Sequence, residues 1–431
     1  VFKMDFFNFA AAPASIRRRF MPSEIRAMNI AALRHGLGVL RDQCPEIILL
    51  GYNGFEESDT QSRTDIPPGK TVDPHWLEVF DSLYCGDPRP ADVPAMNFWR
   101  SKDVYSDHMI RVYQANGFPL SRIDSSGFMI GTTGTCYFRK TAAWEGMLIL
   151  SLARGNLVNT YYGNLDLLSN EQGAWFARVQ SLFLGLQTFG RFATFGEMPG
   201  KGRPYGYLAE GANGALFTVV NPAQATEAVR LPCPPDATAG RILFHDGGYV
   251  PTLCDGYLRL GPEQMAVVGT GCYNDPAFDL GEQADVRIPS AIQALPIVFH
   301  PTGNKELAAT LEAPKMGCIR IILRQLDRDG KARRSSGGSP PGGTTLAKLL
   351  TIEVDQGGKP IPVQVNYDKA IWSGLSWAVA ELHTGSLRPG VPVNIRCFTK
   401  EAADVIVKAE IYHTTYTDAQ SDDGPAQQAS I

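Results

Sequence analysis

The hydrophobic pattern of this chain changes near residue 200, and this change constrains the fold more than any other feature. Before it, short apolar runs alternate with amphipathic stretches of helical period; after it, only short apolar runs separated by Gly, Asn and Pro remain. The first pattern is typical of β/α units around a parallel sheet, and the second is typical of antiparallel β domains. The sequence therefore predicts an α/β region followed by all-β modules.

The α/β region is predicted to contain about five strands with helices between them. The strands are Val1–Phe6, Glu46–Tyr52, Ala95–Trp99, Ser121–Ile123 and Leu157–Tyr162. The helices are Ser23–Arg41, Asp103–Asn116, Lys140–Arg154 and Asn170–Phe189. A closed (β/α)8 TIM barrel needs eight strands, so the chain is expected to hold only part of a barrel.

Four segments follow from this pattern. Residues 1–195 are predicted to be a partial catalytic barrel, 196–285 an antiparallel β domain, 286–417 a second β-sandwich module, and 418–431 a flexible tail. A Ser, Gly and Pro-rich stretch at 333–343 is expected to be a flexible loop in the second module. The polar and aromatic segment between Gly54 and Pro94 is expected to be a functional loop with a short helix over Trp76–Leu83.

Composition excludes several classes of protein. The chain has 40 Lys+Arg and 44 Asp+Glu, and this net charge of −4 argues against a nucleic-acid partner. No run approaches the roughly 20 apolar residues that span a bilayer, so a soluble protein is expected, with a secreted or periplasmic location left open. The eight cysteines lack metal-ligand spacing, so no metal is expected. Free thiols are favoured over a Cys254–Cys272 disulfide.

Lys3 and Asp5 are the most informative pair, because they stand two apart at the end of the first predicted strand. Side chains two apart on a strand share one face, and strand ends form the active-site rim of a β/α barrel. A carboxylate there can act as nucleophile or base. The alternative is an Asp that caps the following segment, and both interpretations remain open.

A second group, Trp99, Arg100 and Asp103, is expected at the exit of a later strand. A ring for stacking, a donor for hydroxyl groups and an acid are what a sugar site requires. Asp103 alone fits equally well as the N-cap or first-turn acid of the helix that follows.

Other residues are expected to extend the same rim. Tyr52 and Asn53 end the second predicted strand and offer stacking and hydrogen-bonding groups. Asp124 follows the fourth and either contacts substrate or forms a buried salt bridge with Arg100 or Arg122.

These residues resemble the α-galactosidase-like glycoside hydrolases, families 27 and 36 of a clan with a (β/α)8 barrel and a C-terminal β domain. Lys3-Met4-Asp5 is similar to the Lys-x-Asp signature that ends the fourth strand of those barrels. The run from Trp99 to Asp103 is similar to the segment that carries their acid/base, with one extra residue. Tyr162-Gly163-Asn164 resembles part of their last barrel units, and the likeness extends over about residues 1–280.

The resemblance implies a retaining exo-glycosidase that needs no cofactor and acts on an oligosaccharide or glycoside. Asp5 would be the nucleophile and Asp103 the acid/base, while Lys3, Tyr52, Asn53, Trp99, Arg100 and Asp124 would bind substrate. The chain would then hold strands four to eight, and a complementary N-terminal chain or fragment would supply strands one to three. The start at Val1, without an initiator Met, fits a processed terminus or a fragment.

Two other functions remain open at this stage. A transglycosylase with the same chemistry would pass the sugar to another sugar instead of to water. A non-catalytic carbohydrate-binding protein would use an incomplete barrel and two β modules for recognition alone.

Overall fold

The computed structural model describes residues 1–5, 7–55, 72–86, 91–125, 128–130, 143–233, 239–283, 286–331, 349–366, 377–400 and 404–417. Its coarse class is the predicted one, mixed α/β followed by all-β, and three regions succeed one another along the chain. The predicted loop at 333–343 and the predicted tail at 418–431 lie outside the described residues.

The first region is built on parallel strands. Four of them form one sheet in chain order: Phe2–Met4 (β1), Leu49–Gly51 (β2), Ser82–Tyr84 (β3) and Ile123–Asp124 (β4). Two more strands, Phe128–Ile130 (β5) and Tyr161–Gly163 (β6), pair in parallel with each other. This order is that of successive β/α units; whether the strands belong to a barrel stays a prediction.

Helices connect these strands. They are Ala14–Arg17 (α1), Pro22–Gln43 (α2), Phe98–Ala115 (α3), Trp144–Ala153 (α4) and Asn170–Phe189 (α5). Proline in the first turn starts α2, and a Ser169 capping box with Gln172 starts α5. The short helix predicted over Trp76–Leu83 is only partly confirmed: a 3-10 helix covers Pro74–Glu78, but Ser82 and Leu83 belong to β3.

The prediction of a strand at Ala95–Trp99 is wrong. Phe98 begins α3, and the third strand is Ser82–Tyr84. The backbone N–H groups of Met96 and Asn97 donate to the carboxylate of Glu263, each at 2.8 Å. Because this acceptor is 166 residues away from Asn97, no local signal in the sequence marks the start of the helix.

The parallel sheet has two different faces. On one face Leu49, Leu83 and Ile123 pack into the main hydrophobic core, which also contains Leu37 of α2. Successive side chains of a strand point to opposite faces, so the residues between them form the other face. There Leu50, Tyr52 and Tyr84 form a small separate cluster.

The second region, Arg191–Gln283, is named the proximal sandwich. Its larger sheet contains six strands: Arg191–Gly196 (β7), Tyr205–Gly211 (β8), Gly214–Val220 (β9), Gly240–Asp246 (β11), Met265–Gly271 (β14) and Gly281–Gln283 (β15). Its smaller sheet contains three: Glu227–Arg230 (β10), Thr252–Cys254 (β12) and Tyr257–Leu260 (β13). The first strand begins at Arg191, before the boundary of 196 expected from the sequence.

The third region, Ala291–Thr415, is named the distal sandwich, and two five-stranded sheets build it. One sheet holds Ala291–Ala294 (β16), Cys318–Leu326 (β19), Gln364–Asn366 (β22), Trp377–His383 (β23) and Ile406–Thr415 (β25). The other holds His300–Gly303 (β17), Glu306–Leu311 (β18), Leu350–Gln356 (β20), Lys359–Ile361 (β21) and Val393–Thr399 (β24). Aliphatic residues of both sheets fill the space between them.

The structure bears on the predictions about cysteines and about membrane-spanning segments. Cys254 and Cys272 are both exposed free thiols, so the alternative of a disulfide between them is wrong. Among the helices of the described part of the chain, none combines the length and apolar character that crossing a membrane requires.

We expect the Leu83→Ala variant to unfold about 2–5 kcal/mol more easily than the wild type. Leu83 is fully buried in the main core on the central strand β3, so truncation removes apolar contacts and leaves a cavity. Urea unfolding followed by circular dichroism measures the change. Val250→Ala, at a side chain that is 72% exposed, is the control and should change stability by less than about 0.5 kcal/mol. Equal losses in the two variants would contradict the proposed core.

Candidate active site

Lys3 and Asp5 meet at the carboxyl end of β1. The Lys3 Nζ lies 3.2 Å from the Asp5 Oδ2. The other carboxylate oxygen accepts hydrogen bonds from the Asn53 backbone N–H at 3.2 Å and from its Nδ2 at 2.9 Å. Asp5 keeps 22% of its side chain exposed. The carboxylate is therefore held in one orientation while it still reaches solvent.

Tyr52 joins this pair to the neighbouring strands. Its ring stacks on Tyr84 with the centroids 4.5 Å apart and the planes 14° apart. The Lys3 Nζ lies 3.9 Å from the centre of the Tyr52 ring, a cation–π distance. The Tyr52 hydroxyl donates a short hydrogen bond to Asp124. One aromatic side chain thus contacts groups from β1, β3 and β4.

Asp124 is the buried carboxylate of this group, with only 1% of its surface exposed. The Thr160 hydroxyl, from the segment before β6, donates to the Asp124 Oδ2 at 3.1 Å. Burial raises the pKa of Asp124 above its ordinary value, although the bonds from Tyr52 and Thr160 and the charge of Lys3 act in the opposite direction. This carboxyl group therefore holds its proton more tightly than a solvated aspartate does.

The register of the sheet explains why these residues meet. Met4 pairs with Gly51, Gly51 with Leu83, and Tyr84 with Asp124. Asp5, Tyr52, Tyr84 and Asp124 therefore stand at one level on the face turned away from the main core. We call the set Lys3, Asp5, Tyr52, Asn53, Tyr84, Asp124 and Thr160 the rim cluster.

The other predicted group lies elsewhere. Trp99, Arg100 and Asp103 are on α3, where Asp103 is 7% exposed and its Oδ2 lies 3.2 Å from Arg100. Arg100 also lies 2.7 Å from Asp246 of the proximal sandwich. The prediction that this group follows a strand is wrong, because residues 98–115 are helical.

Asp107, one turn farther along α3, belongs to the same interface. It accepts from Arg154 at 2.9 Å, from Tyr205 at 2.6 Å and from Tyr207 at 2.8 Å. All of these side chains are buried. The carboxylates of α3 therefore join the helix to the proximal sandwich, and Arg154, the partner of Asp107, also contacts the hydroxyl of Ser125, the residue after Asp124, at 3.4 Å.

The sequence predicted most of the rim cluster and missed two members. Lys3, Asp5, Tyr52, Asn53 and Asp124 were predicted and are brought together. The alternative of a salt bridge from Asp124 to Arg100 or Arg122 is wrong, since Arg122 instead donates to backbone carbonyls such as that of Leu77.

Tyr84 and Thr160 were missed. Tyr84 directly follows the segment Trp76–Leu83, which was predicted to be a short helix, and Thr160 adjoins the paired tyrosines 161 and 162. That adjacency was the available signal for Thr160. In the described ranges, no three His, Cys, Asp or Glu side chains are grouped so that they could hold a metal ion.

No family model matches the chain, and no curated protein matches it. Solved structures with some similarity include the α-amylase of Anoxybacillus, at 11% identity and a TM-score of 0.32 over 55% of this chain and 54% of that one. The α-amylase of H. orenii has 10% identity and a TM-score of 0.31 over 58% of both chains.

The trehalose-6-phosphate hydrolase of Bacillus licheniformis has 9% identity and a TM-score of 0.29 over 52% of this chain and 56% of that one. The chain spans a little over half the length of these three structures. TM-scores this low do not establish a shared fold. The α-galactosidase assignment stays a prediction.

We expect the stability of the wild type, relative to an Asp124→Asn variant, to fall as the pH rises from about 4. A carboxyl with a raised folded pKa binds more protons in the folded than in the unfolded state, so its contribution is complete at low pH and is lost through the raised pKa. Urea midpoints at several pH values from about 4 to 7 measure the difference. The exposed Asp42→Asn is the control for the substitution itself. A difference that grows with pH would contradict the raised pKa.

Proposed function

We propose that this protein is a glycoside hydrolase whose reaction takes place at the rim cluster, with Asp5 as nucleophile. The observation that carries the proposal is the contact of Lys3 with Asp5 and with the ring of Tyr52, whose hydroxyl bonds Asp124. Two carboxylates, a cation and an aromatic ring thus stand together at the carboxyl edge of a parallel sheet, which is where β/α enzymes build their sites.

The chemistry proposed is a double displacement. Asp5 attacks the anomeric carbon and forms a glycosyl ester while an acid protonates the departing oxygen; the same acid group then deprotonates the water that hydrolyses the ester. The contacts from Lys3 and Asn53 hold the Asp5 carboxylate in one orientation, as a nucleophile requires. The buried, stacked rings of Tyr84 and Tyr52 support the same edge of the sheet.

Two described carboxylates fit the role of the acid/base in different ways. Asp103 is the residue that the family resemblance indicates, yet it is paired with Arg100 at the sandwich interface. Asp124 stands in the rim cluster, and its raised pKa is the property that a general acid needs. We therefore favour Asp124. Asp87, the first acidic residue after β3 in the sequence, lies outside the described residues and enters the same experiment.

The finer assignment is an exo-acting α-galactosidase-like enzyme, and its support is the Lys3-Met4-Asp5 motif. A complementary polypeptide that supplies further β/α units belongs to the same proposal. Hydrolysis and transglycosylation differ only in the acceptor, so product analysis with and without an added sugar separates them.

We expect Asp5→Asn to abolish turnover of aryl glycosides while sugar binding stays within a few fold of the wild type. The amide keeps the size of the side chain but cannot attack the anomeric carbon. Turnover of an aryl α-galactoside and of a panel of other aryl glycosides, together with calorimetric sugar binding, measures both effects. Asp42→Asn is the matched control and should retain full activity. Hydrolysis retained by Asp5→Asn would exclude this nucleophile.

A wild type that binds sugar but hydrolyses no aryl glycoside would instead identify a carbohydrate-binding protein. The burial of Asp103 in an ion pair with Arg100 is the observation that favours this second function.

We expect replacement of the acid/base to lower kcat/KM by about 10²–10⁴-fold for a glycoside with a poor leaving group. A dinitrophenyl glycoside should be affected far less, because its leaving group needs no proton, and added azide should restore turnover. Asp124→Asn, Asp103→Asn and Asp87→Asn are compared on both substrates. If the replaced residue only stabilises the fold, its substitution lowers the rates on both substrates alike and also lowers the melting temperature. Equal losses on both substrates for Asp124→Asn would reject it as the acid.

A further inference from the structure

The connection that leads from β3 into α3 is held by side chains of both sandwiches. Its described residues are Cys85, Gly86 and Ala91–Asn97, and the contacts below concern Ala91–Asn97. The Trp377 indole N–H, from the distal sandwich, donates to the Ala91 carbonyl at 3.0 Å. The Gln224 side chain, from the proximal sandwich, donates to the Pro94 carbonyl at 2.8 Å. Backbone groups of the connection are thus bound from two directions.

Glu263 holds the end of the same connection. Its carboxylate accepts from the Met96 N–H and the Asn97 N–H at 2.8 Å each and from the Asn97 side chain at 3.0 Å. Glu263 is fully buried and has a φ of 56°, which is uncommon for a residue other than glycine. A residue persists in such a conformation where its surroundings compensate for the strain, and the capping of α3 is such a compensation.

A buried arginine of the distal sandwich, Arg320, contacts the Glu263 carboxylate. Arg320 is fully buried and contacts Glu263 at 3.1 Å and Glu381 at 2.8 Å. It also donates to the Gln224 Oε1 at 2.7 Å. Removing one partner of a buried ion pair is strongly destabilising, so Glu263 and Arg320 hold their positions together.

Apolar packing adds to these bonds. Met96 packs against a small cluster of the distal sandwich that contains Trp377 and Ile322. The distal sandwich is therefore fixed to the first region by buried polar and apolar contacts together, and not only by the chain that links them.

We infer that Trp377 and Arg320 are positioning residues that fix the connection between β3 and α3, and that the distal sandwich is part of the active-site structure. Connections that follow the carboxyl ends of parallel strands line the sites of β/α enzymes. The same edge carries Tyr84 of the rim cluster at the end of β3. The consequence for catalysis rests on the proposed function; the consequence for the order of residues 91–97 does not.

Hydrogen exchange of peptides that cover residues 91–105 tests the inference in the full chain. Trp377→Phe keeps a ring but removes the donor, and we expect exchange in these peptides to become about tenfold faster, as loss of a hydrogen bond allows. Peptides of α2 should not change. Ile395→Val, in the other sheet of the distal sandwich, is the matched control and should leave residues 91–105 unaffected.

A second variant tests the inference independently, in case Trp377→Phe does not fold. Arg320→Lys keeps the charge but loses the forked donor, and we expect the same local increase in exchange with the circular dichroism spectrum preserved. Unchanged exchange over residues 91–105 in both folded variants would overturn the inference.

A kinetic measurement then addresses catalysis. With the glycoside that the wild type hydrolyses, we expect Trp377→Phe to lower kcat about tenfold with KM changed less, since a misplaced site loses transition-state contacts. Ile395→Val should retain the wild-type kcat. An unchanged kcat beside faster exchange would reject the link to catalysis. A wild type without activity would count against the proposed function, and the exchange result would still decide the positioning role.

Discussion

The rest of this structure depends on ion pairs between buried arginines and carboxylates. Arg100, Arg154 and Arg320 are each almost fully buried, and each meets at least one carboxylate. Burial alone would raise the pKa of Glu381, but Arg320 and Arg287 outweigh it and lower that pKa. A guanidinium keeps its charge in such surroundings, so these contacts stay ionic. They all lie where one region of the chain meets another.

Asp107 and Asp5 show two different roles that an acidic residue has in this structure. Asp107 is fully buried, and every one of its hydrogen bonds described above goes to a buried group, so it serves the junction between α3 and the proximal sandwich. Asp5 has donors on both oxygens and still contacts solvent. A sequence motif cannot distinguish these situations, because both carboxylates are short acidic side chains close to an arginine or lysine. Their burial and their partners separate them.

The sequence predicts the local features of the molecule well and the long-range features poorly. Period-two and helical patterns located α2, α5 and most of the strands, because these depend on neighbouring residues. The rim residues Lys3, Asp5 and Asp124 were found since the end of a strand is visible in the pattern. The strand assigned at residues 95–99 failed because the start of α3 depends on Glu263. Asp103 was misplaced for the same reason, as its position followed from that strand.

The distance along the chain between Asn97 and Glu263 has a consequence for how the molecule assembles. The N–H groups of Met96 and Asn97, which immediately precede α3, bond Glu263, and this contact cannot form while Glu263 is still to be synthesised. Arg320, which balances the charge of Glu263, is made later still. The first region therefore reaches its final form only after both sandwiches have emerged, although it is synthesised before them. The region that is synthesised before the two sandwiches is thus expected to complete its folding after them.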